Sequence, residues 1–127
     1  MVSKNNYGIL VIKVVAMPSN TNMNGDIFGG WVLSHMDLGG IVAAKKYASG
    51  KFVTAGIQET AFIKPVSVGD ILSIYAKHIK TGNTSITFHL TAFVNRFGTG
   101  PYEKVTEASF TYVHIGKDKK PKKIGIN

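Results

Sequence analysis

One aspartate in this sequence has neighbours that suit acid–base chemistry. Asp37 lies in the middle of segment 27–48, IFGGWVLSHMDLGGIVAAKKYA, which contains no proline and predicts a long helix. At helical spacing it shares a face with glycine and aliphatic residues and no lysine or arginine: Gly30, Leu33, Gly40, Ile41 and Ala44. A carboxylate there would lose hydration, which disfavours its charged form unless a hydrogen-bond donor compensates. Asp37 is therefore a candidate catalytic carboxylate, although a partly exposed face or a bond to a backbone N–H would explain it without any function.

Two glycines open the same helix. Gly29 and Gly30 precede Asp37 by about two turns. Together with Gly39 and Gly40 they cost roughly 1 kcal/mol each relative to alanine, and a missing Cβ usually lets a backbone or a ligand come close. First-turn amides can also stabilise an oxyanion. The sequence thus predicts a donor and a carboxyl group within reach of one small substrate.

Asp26 precedes this helix and permits two interpretations. Aspartate is a preferred N-cap residue, so capping is the simpler one. The other makes Asp26 a second carboxylate that faces Asp37 across a subunit boundary.

The elements that must position these residues follow from periodicity. Strands are predicted where β-branched or alternating segments occur, at 7–16, 52–63, 70–80, 84–97 and 103–115. Turn-forming sequences between the last three predict an antiparallel meander. One strand, one long helix and four further strands predict an α+β fold in which the sheet curls around the helix.

Composition limits the classes of function. The 127 residues, 44% of them apolar, suit a single domain spanning 1–127. No apolar run approaches the roughly 18 residues of a membrane span, and no secretory leader pattern opens the chain. We therefore expect a cytoplasmic protein that does not associate with a membrane. The absence of cysteine excludes disulfides, thiolate zinc sites and cysteine nucleophiles. We expect no metal and no cofactor.

The charge of the chain favours anionic partners. Fifteen basic residues against seven acidic ones give a net charge of +8. Five lysines lie in the terminal segment GKDKKPKKIGIN, and a solvated, flexible tail over 117–127 is the simplest interpretation. Phosphate-rich small ligands and nucleic acid are the alternatives. Because no helix-turn-helix or RNA-binding aromatic signature accompanies the lysines, we expect no specific nucleic-acid binding.

The string MPSNTNMNGDIFGGWVLSHMD at 17–37 closely resembles the bacterial YciA-type acyl-CoA thioesterases of the hotdog superfamily. The similarity continues through 52–54, 62–70 and 106–110, and so covers most of the chain except both ends. The resemblance implies a hotdog fold, a five-stranded antiparallel sheet wrapped around one long central helix. It also implies homodimers that join their sheets edge to edge, and often a trimer of such dimers. The implied reaction is hydrolysis of acyl-CoA to coenzyme A and a carboxylic acid, with coenzyme A present as part of substrate and product.

The resemblance also assigns roles to residues. The family's helix aspartate maps onto Asp37 as general base or nucleophile, two mechanisms that the sequence leaves open. Asp26 would face the helix acid of the partner subunit, Asn24 would help to order its loop, and the first-turn amide of Gly30 would polarise the thioester carbonyl. His35 departs from the glutamine expected in many relatives.

Coenzyme A carries phosphates and a pantetheine arm that need contacts of their own. Lys64, Lys80 and Arg96 at strand ends are candidates for the phosphates, although an ordinary solvated side chain is the simpler interpretation of each. Hydroxyls and glycine amides suit the pantetheine arm or a phosphate, and the candidates are Thr54, Gly82 and Ser85.

Two other functions compete with thioester hydrolysis, because a fold alone does not determine function. An enoyl-CoA hydratase or dehydratase would use a catalytic histidine with an acidic partner. The histidines in predicted strands have no such partner at an interpretable spacing: His78, His89 and His114. A non-catalytic acyl-CoA-binding protein would keep the fold without turnover.

Overall fold

A five-stranded antiparallel sheet curves around a helix of 16 residues. The structure, a computed structural model, describes residues 4–125. The strands are β1 (Ile9–Val15), β2 (Lys51–Phe62), β3 (Asp70–Thr81), β4 (Ser85–Arg96) and β5 (Thr99–Ile115). The helices are α1 (Lys4–Tyr7) and α2 (Gly29–Ala44), and a 3-10 turn spans Pro18–Asn20.

The strand order in the sheet is β1-β3-β4-β5-β2, with every neighbouring pair antiparallel. The last three strands therefore form the predicted meander, and β1 and β2 lie at the edges. This confirms the predicted α+β architecture. None of the helices within residues 4–125 is long and apolar enough to cross a membrane.

Several boundaries differ from the sequence prediction. α2 ends at Ala44 rather than at 48, because the N–H groups of Lys46 and Tyr47 bond carbonyls three residues back and form a turn. Two further differences have a clear local cause. β5 begins at Thr99 rather than at 103, because Phe97 and Gly98 both adopt positive φ angles (50° and 80°) and complete a tight turn. α2 begins at Gly29 rather than at 27, because Ile27 is held extended in bridges to Thr21 and Val66.

Asp26 does not cap α2, so that prediction is wrong. The N-cap is Phe28, whose extended backbone (φ −82°, ψ 152°) ends the preceding loop, and no side chain caps the helix there. Because its bridges keep Ile27 extended, the helix starts further along the chain, and Asp26 is too far from the first turn to act as the cap.

The core lies between α2 and the concave face of the sheet. Alternate residues of β4 point at the helix and are almost fully buried, among them Ile86, Phe88 and Leu90. They belong to the same cluster as Trp31 and Met36 of α2. The intervening β4 residues lie on the opposite face of the sheet.

The lysine-rich end is anchored to the fold over the described part of 116–125. The Lys122 N–H donates to the His114 carbonyl at 2.8 Å, and the Ile124 N–H donates to the Asn83 carbonyl at 2.9 Å. Ile124 is 8% exposed. The backbone here differs from the expected flexible tail, because it pairs with the sheet and buries one apolar side chain. Residues 126 and 127 lie outside the described residues.

Gly40 lets β5 approach α2 closely. A Cβ at position 40 would overlap the Tyr112 hydroxyl and lie 2.5 Å from Tyr112 Cζ. Gly39 is also tightly packed, since a Cβ there would lie 2.8 Å from Val11 Cγ2. Packing against the sheet thus accounts for this glycine pair and offsets its cost to helix stability.

We predict that Gly40→Ala destabilises the protein. The free energy of unfolding, measured by urea titration, should fall by about 1–3 kcal/mol, as expected for overpacking. Gly30→Ala is the control in the same helix, because its Cβ would meet the Phe28 ring at 3.3 Å and nothing of the sheet. It should be at least as stable as the parent. A Gly40→Ala protein of parental stability would contradict the assigned contact.

Candidate functional site

Asp37 lies where α2 faces the edge strand β2. Its side chain is partly buried, and Oδ1 accepts a hydrogen bond of 2.6 Å from Thr54 Oγ1. Hydrogen bonds to carboxylates are among the stronger ones in proteins. Thr54 thus supplies the donor that the helix face itself lacks, while Oδ2 is left for water or a substrate.

Tyr112 of β5 fixes the backbone of α2 at Asp37. Its hydroxyl donates to the Asp37 carbonyl at 2.8 Å, and its side chain is fully buried. Burial raises the pKa of Tyr112 above its ordinary value of 10.0, and the negative charge of Asp37 raises it further. The phenol therefore stays protonated and remains a donor. Sequence reasoning missed this residue, because the contact depends on the register between the helix and the sheet.

The first turn of α2 presents a free amide. The space beside Gly29 is filled by the Phe62 ring, whereas Gly30 is exposed. An N–H in the first turn has no partner within its helix. Seven residues separate Gly30 from Asp37, or about 10 Å along the axis. The two groups of one chain could act on the same carbonyl only through an intervening water or substrate atom.

Asn22 orders the loop that precedes α2. Its Oδ1 accepts hydrogen bonds from the N–H groups of Asn24 (2.9 Å) and Asp26 (3.1 Å), and its own N–H donates to the Asp26 carbonyl (2.7 Å). The ordering role expected of Asn24 therefore belongs to Asn22. An asparagine side chain readily accepts a hydrogen bond from the backbone N–H two residues later, and this preference is the sequence signal that could have identified Asn22. Asp26 itself is exposed.

Four of the predicted coenzyme A contacts lie at one end of the sheet, among them Lys80, which pairs with Thr87 near the end of β3. Thr54 contacts Asp37, the candidate catalytic carboxylate. Gly82 and Ser85 form the β3–β4 turn, where the Gly82 N–H donates to the Ser85 carbonyl at 2.7 Å. The pairing of β4 with β5 and of β5 with β2 aligns Ser85 with Val53, so this turn lies at the same end as Thr54.

The other two predicted contacts lie at the opposite end and are paired with carboxylates. Lys64 Nζ lies 2.7 Å from Glu103 Oε1, and this bond lowers the pKa of Glu103. Arg96 Nε lies 2.8 Å from Oδ1 of the buried Asp70. Along β4, Ser85 and Arg96 are about 36 Å apart at 3.3 Å per residue. The predicted contacts therefore do not form one site on one chain.

A cleft of about 460 Å³ lies beside the start of α2. Apolar side chains form most of its walls: Ile27, Val32, Phe62, Ile63, Pro65 and Val66. A cleft with such walls suits an apolar group rather than a charged one.

His89 has an acidic partner that sequence reasoning missed. Its Nε2 lies 3.0 Å from Glu107 Oε1, and β4–β5 pairing places the two residues diagonally across the ladder. His89 alternates with the buried Phe88 and Leu90, so the pair lies on the face of the sheet turned away from α2. The sheet separates it from Asp37.

His35 packs edge-on against Trp31, with ring centroids 4.6 Å apart. Burial lowers the pKa of His35, so its ring is neutral near pH 7 and brings no positive charge to α2. Within residues 4–125, no three His, Cys, Asp or Glu side chains come together as a metal site would require.

Comparison with known proteins places this geometry among thioesterases. The thioesterase superfamily model matches residues 24–95. An uncharacterized acyl-CoA thioester hydrolase of Buchnera aphidicola (subsp. Schizaphis graminum) is 47% identical over 92% of this chain and 89% of its own. The acyl-CoA thioester hydrolase YciA of Salmonella typhimurium is 43% identical over 94% and 92%. The hexameric thioesterase y2039 from Yersinia pestis superposes with a TM-score of 0.89, at 44% identity over 94% and 97%.

We predict that Thr54→Val lowers turnover while Thr54→Ser preserves it. Valine keeps the shape of the side chain but leaves Asp37 Oδ1 without its donor, and a hydrogen bond to a charged group is worth about 1.5–3 kcal/mol. The kcat for acyl-CoA hydrolysis, the activity named for the relatives, should therefore fall by about 10- to 100-fold. Equal kcat values for the valine and serine variants would show that this bond does not position the carboxylate.

Proposed function

The chain belongs to the thioesterase superfamily, as a YciA-type acyl-CoA thioester hydrolase of hotdog fold, and we propose that Asp37 is the carboxylate that drives its reaction. The proposal is carried by the fixed position of that residue. Thr54 holds one carboxylate oxygen, Tyr112 holds the backbone below it, and the second oxygen is free for chemistry.

The proposed reaction converts acyl-CoA and water into a carboxylic acid and coenzyme A. With Asp37 as general base, the carboxylate takes a proton from water as the water oxygen bonds to the thioester carbon. The carbon–sulfur bond then breaks, and the departing thiolate receives the proton. With Asp37 as nucleophile, Oδ2 bonds to the thioester carbon, the carbon–sulfur bond breaks, and coenzyme A departs as the thiolate. Water then hydrolyses the mixed anhydride, which restores the carboxylate, and the proton that water gives up neutralises the thiolate. Both routes need a donor for the carbonyl oxygen, and a first-turn amide such as that of Gly30 suits that role. Because Gly30 and Asp37 of one chain are about 10 Å apart, direct attack by Asp37 needs the Gly30 amide of a second copy of the chain.

A second copy of the chain is needed to bring Asp26 to this carboxylate. From Gly29 to Asp37 the helix already rises about 12 Å, and Asp26 lies beyond its start. The Asp26 and Asp37 side chains of one chain therefore cannot form a pair. Since the resemblance pairs Asp26 with the partner's helix acid, we propose an active site shared by two subunits.

The edge strand β2 supports this dimer. Its outer edge is unpaired within residues 4–125, and an exposed edge strand readily takes up another strand. Four apolar residues of α2 and β2 are between 42% and 55% exposed: Leu38, Val42, Val53 and Ile57. A partner strand would cover them. Because the Yersinia relative is hexameric, we propose a trimer of such dimers.

The structure gives less support to the rival functions. The His89–Glu107 pair lies across the sheet from Asp37, which does not favour an enoyl-CoA hydratase using the α2 site. The activity named for the Salmonella relative, acyl-CoA thioester hydrolysis, favours turnover over non-catalytic binding.

We predict that Asp37→Asn abolishes turnover with little effect on structure. The amide has the shape of the carboxylate but cannot accept a proton from water, so kcat should fall by about 100- to 10,000-fold across a panel of short and long acyl-CoAs. Coenzyme A binding by calorimetry, subunit number by light scattering and the thermal melt should match the parent. Parental turnover in the variant would contradict the role of Asp37. A parent protein that binds acyl-CoA but hydrolyses none of the panel would contradict the function itself.

A further inference from the structure

A second cleft lies at the far end of α2 from Gly30. Its volume is about 710 Å³, and its walls come from the α2–β2 loop, the end of β5 and the turn that follows. Five lysines line it: Lys45, Lys51, Lys117, Lys119 and Lys122. We call it the lysine cleft. No acidic residue is among the described residues that form its walls.

The walls of the lysine cleft are held in place by the fold. His114 is 4% exposed, and its ring contacts the carbonyl oxygens of Ser49 (Nε2, 2.7 Å) and Lys122 (Nδ1, 3.2 Å). The Gly116 N–H donates to the Lys120 carbonyl at 2.9 Å, which closes the turn. These contacts tie the α2–β2 loop to the terminal segment, so the lysines surround a formed concavity.

The positive charge in the lysine cleft is not neutralised within the described chain. None of its lysines lies within ion-pair distance of a described carboxylate. Lys45 Nζ bonds the neutral Gly50 carbonyl at 2.6 Å. Asp118, in the adjoining turn, uses its carboxylate to accept the Lys120 N–H. Like charges around one concavity repel each other, and a bound polyanion would relieve that repulsion.

We propose that the lysine cleft binds the diphosphate or triphosphate group of a small molecule. Its volume lies within the range of pockets that hold ligands of nucleotide size. The dipole of α2 accounts for Lys45 near the helix end, but not for the lysines that β2 and the terminal turn add. A ligand bearing several phosphates would use all of them.

The lysine cleft is within reach of the proposed reaction centre. Lys51 precedes Thr54 by three residues on β2, or about 10 Å, and Lys45 follows Asp37 by about 12 Å along α2. The pantetheine arm spans about 13 bonds from sulfur to phosphorus, or roughly 16 Å when extended. The phosphates can therefore be those of the substrate, an assignment that rests on the proposed function. A free nucleotide presents the same chemistry.

The test removes three charges from the lysine cleft. The cleft variant carries Lys117→Gln, Lys119→Gln and Lys122→Gln. The control variant carries Lys13→Gln, Lys77→Gln and Lys120→Gln, which changes the net charge equally outside the cleft walls. Calorimetry with coenzyme A and with ADP reports binding without turnover. Hydrolysis of butyryl-CoA and of butyryl-pantetheine, which lacks the phosphates, reports the effect on catalysis.

We expect the parent and the control variant to bind a phosphate ligand about tenfold or more tightly than the cleft variant. If the ligand is the substrate, the KM for butyryl-CoA rises to the same extent in the cleft variant, while kcat/KM for butyryl-pantetheine is unchanged. If it is a separate nucleotide, ADP binding weakens and the KM for butyryl-CoA stays the same. Both results support phosphate binding in the lysine cleft. Equal affinities of the cleft and control variants for coenzyme A and ADP, or binding of neither by the parent, would overturn it. Because calorimetry needs no turnover, phosphate binding in the cleft can be measured even in a protein without hydrolase activity.

Discussion

The hydrogen bond from Thr54 to Asp37 joins the helix to the sheet at the one point where chemistry is proposed. A carboxylate among glycine and aliphatic residues needs a donor to compensate for lost hydration, and β2 supplies it at 2.6 Å. Tyr112 then fixes the depth of the helix, because its hydroxyl reaches the Asp37 carbonyl across the space that Gly40 leaves open. Two strands therefore set the position of this carboxylate on α2.

The same contact explains why the site is open on one side. β2 is an edge strand, so the donor for Asp37 lies on an element whose outer edge has no partner within residues 4–125. Apolar residues on α2 and β2 are also exposed. Because the candidate carboxylate lies beside this unpaired edge, the structure favours a site that a second subunit completes. Asp26 and Asp37 are too far apart within one chain to pair, so any pairing of the two needs that second subunit.

Periodicity was enough to predict the strands, the long helix and the meander, because an element that buries one face needs apolar residues at the spacing of that element. The predicted start of the helix was wrong, because the bridges from Ile27 to Thr21 and Val66 depend on tertiary contacts. Asp37 could be singled out from its helical neighbours alone. Tyr112 and the His89–Glu107 pair could not, since they are distant in sequence and meet through strand register. Composition alone predicts a solvated tail for the terminal lysines, because it does not reveal that Ile124 is buried.

Complementation between inactive subunits tests the shared carboxylate site most directly. An Asp26→Ala subunit retains Asp37, and an Asp37→Asn subunit retains Asp26, so a dimer of one of each holds one intact site if the two residues come from different chains. Random reassembly of equal amounts should then restore about one quarter of parental activity, as two-fold symmetry requires. Activity of the mixture no higher than the average of the two separate variants would contradict a site built from both subunits.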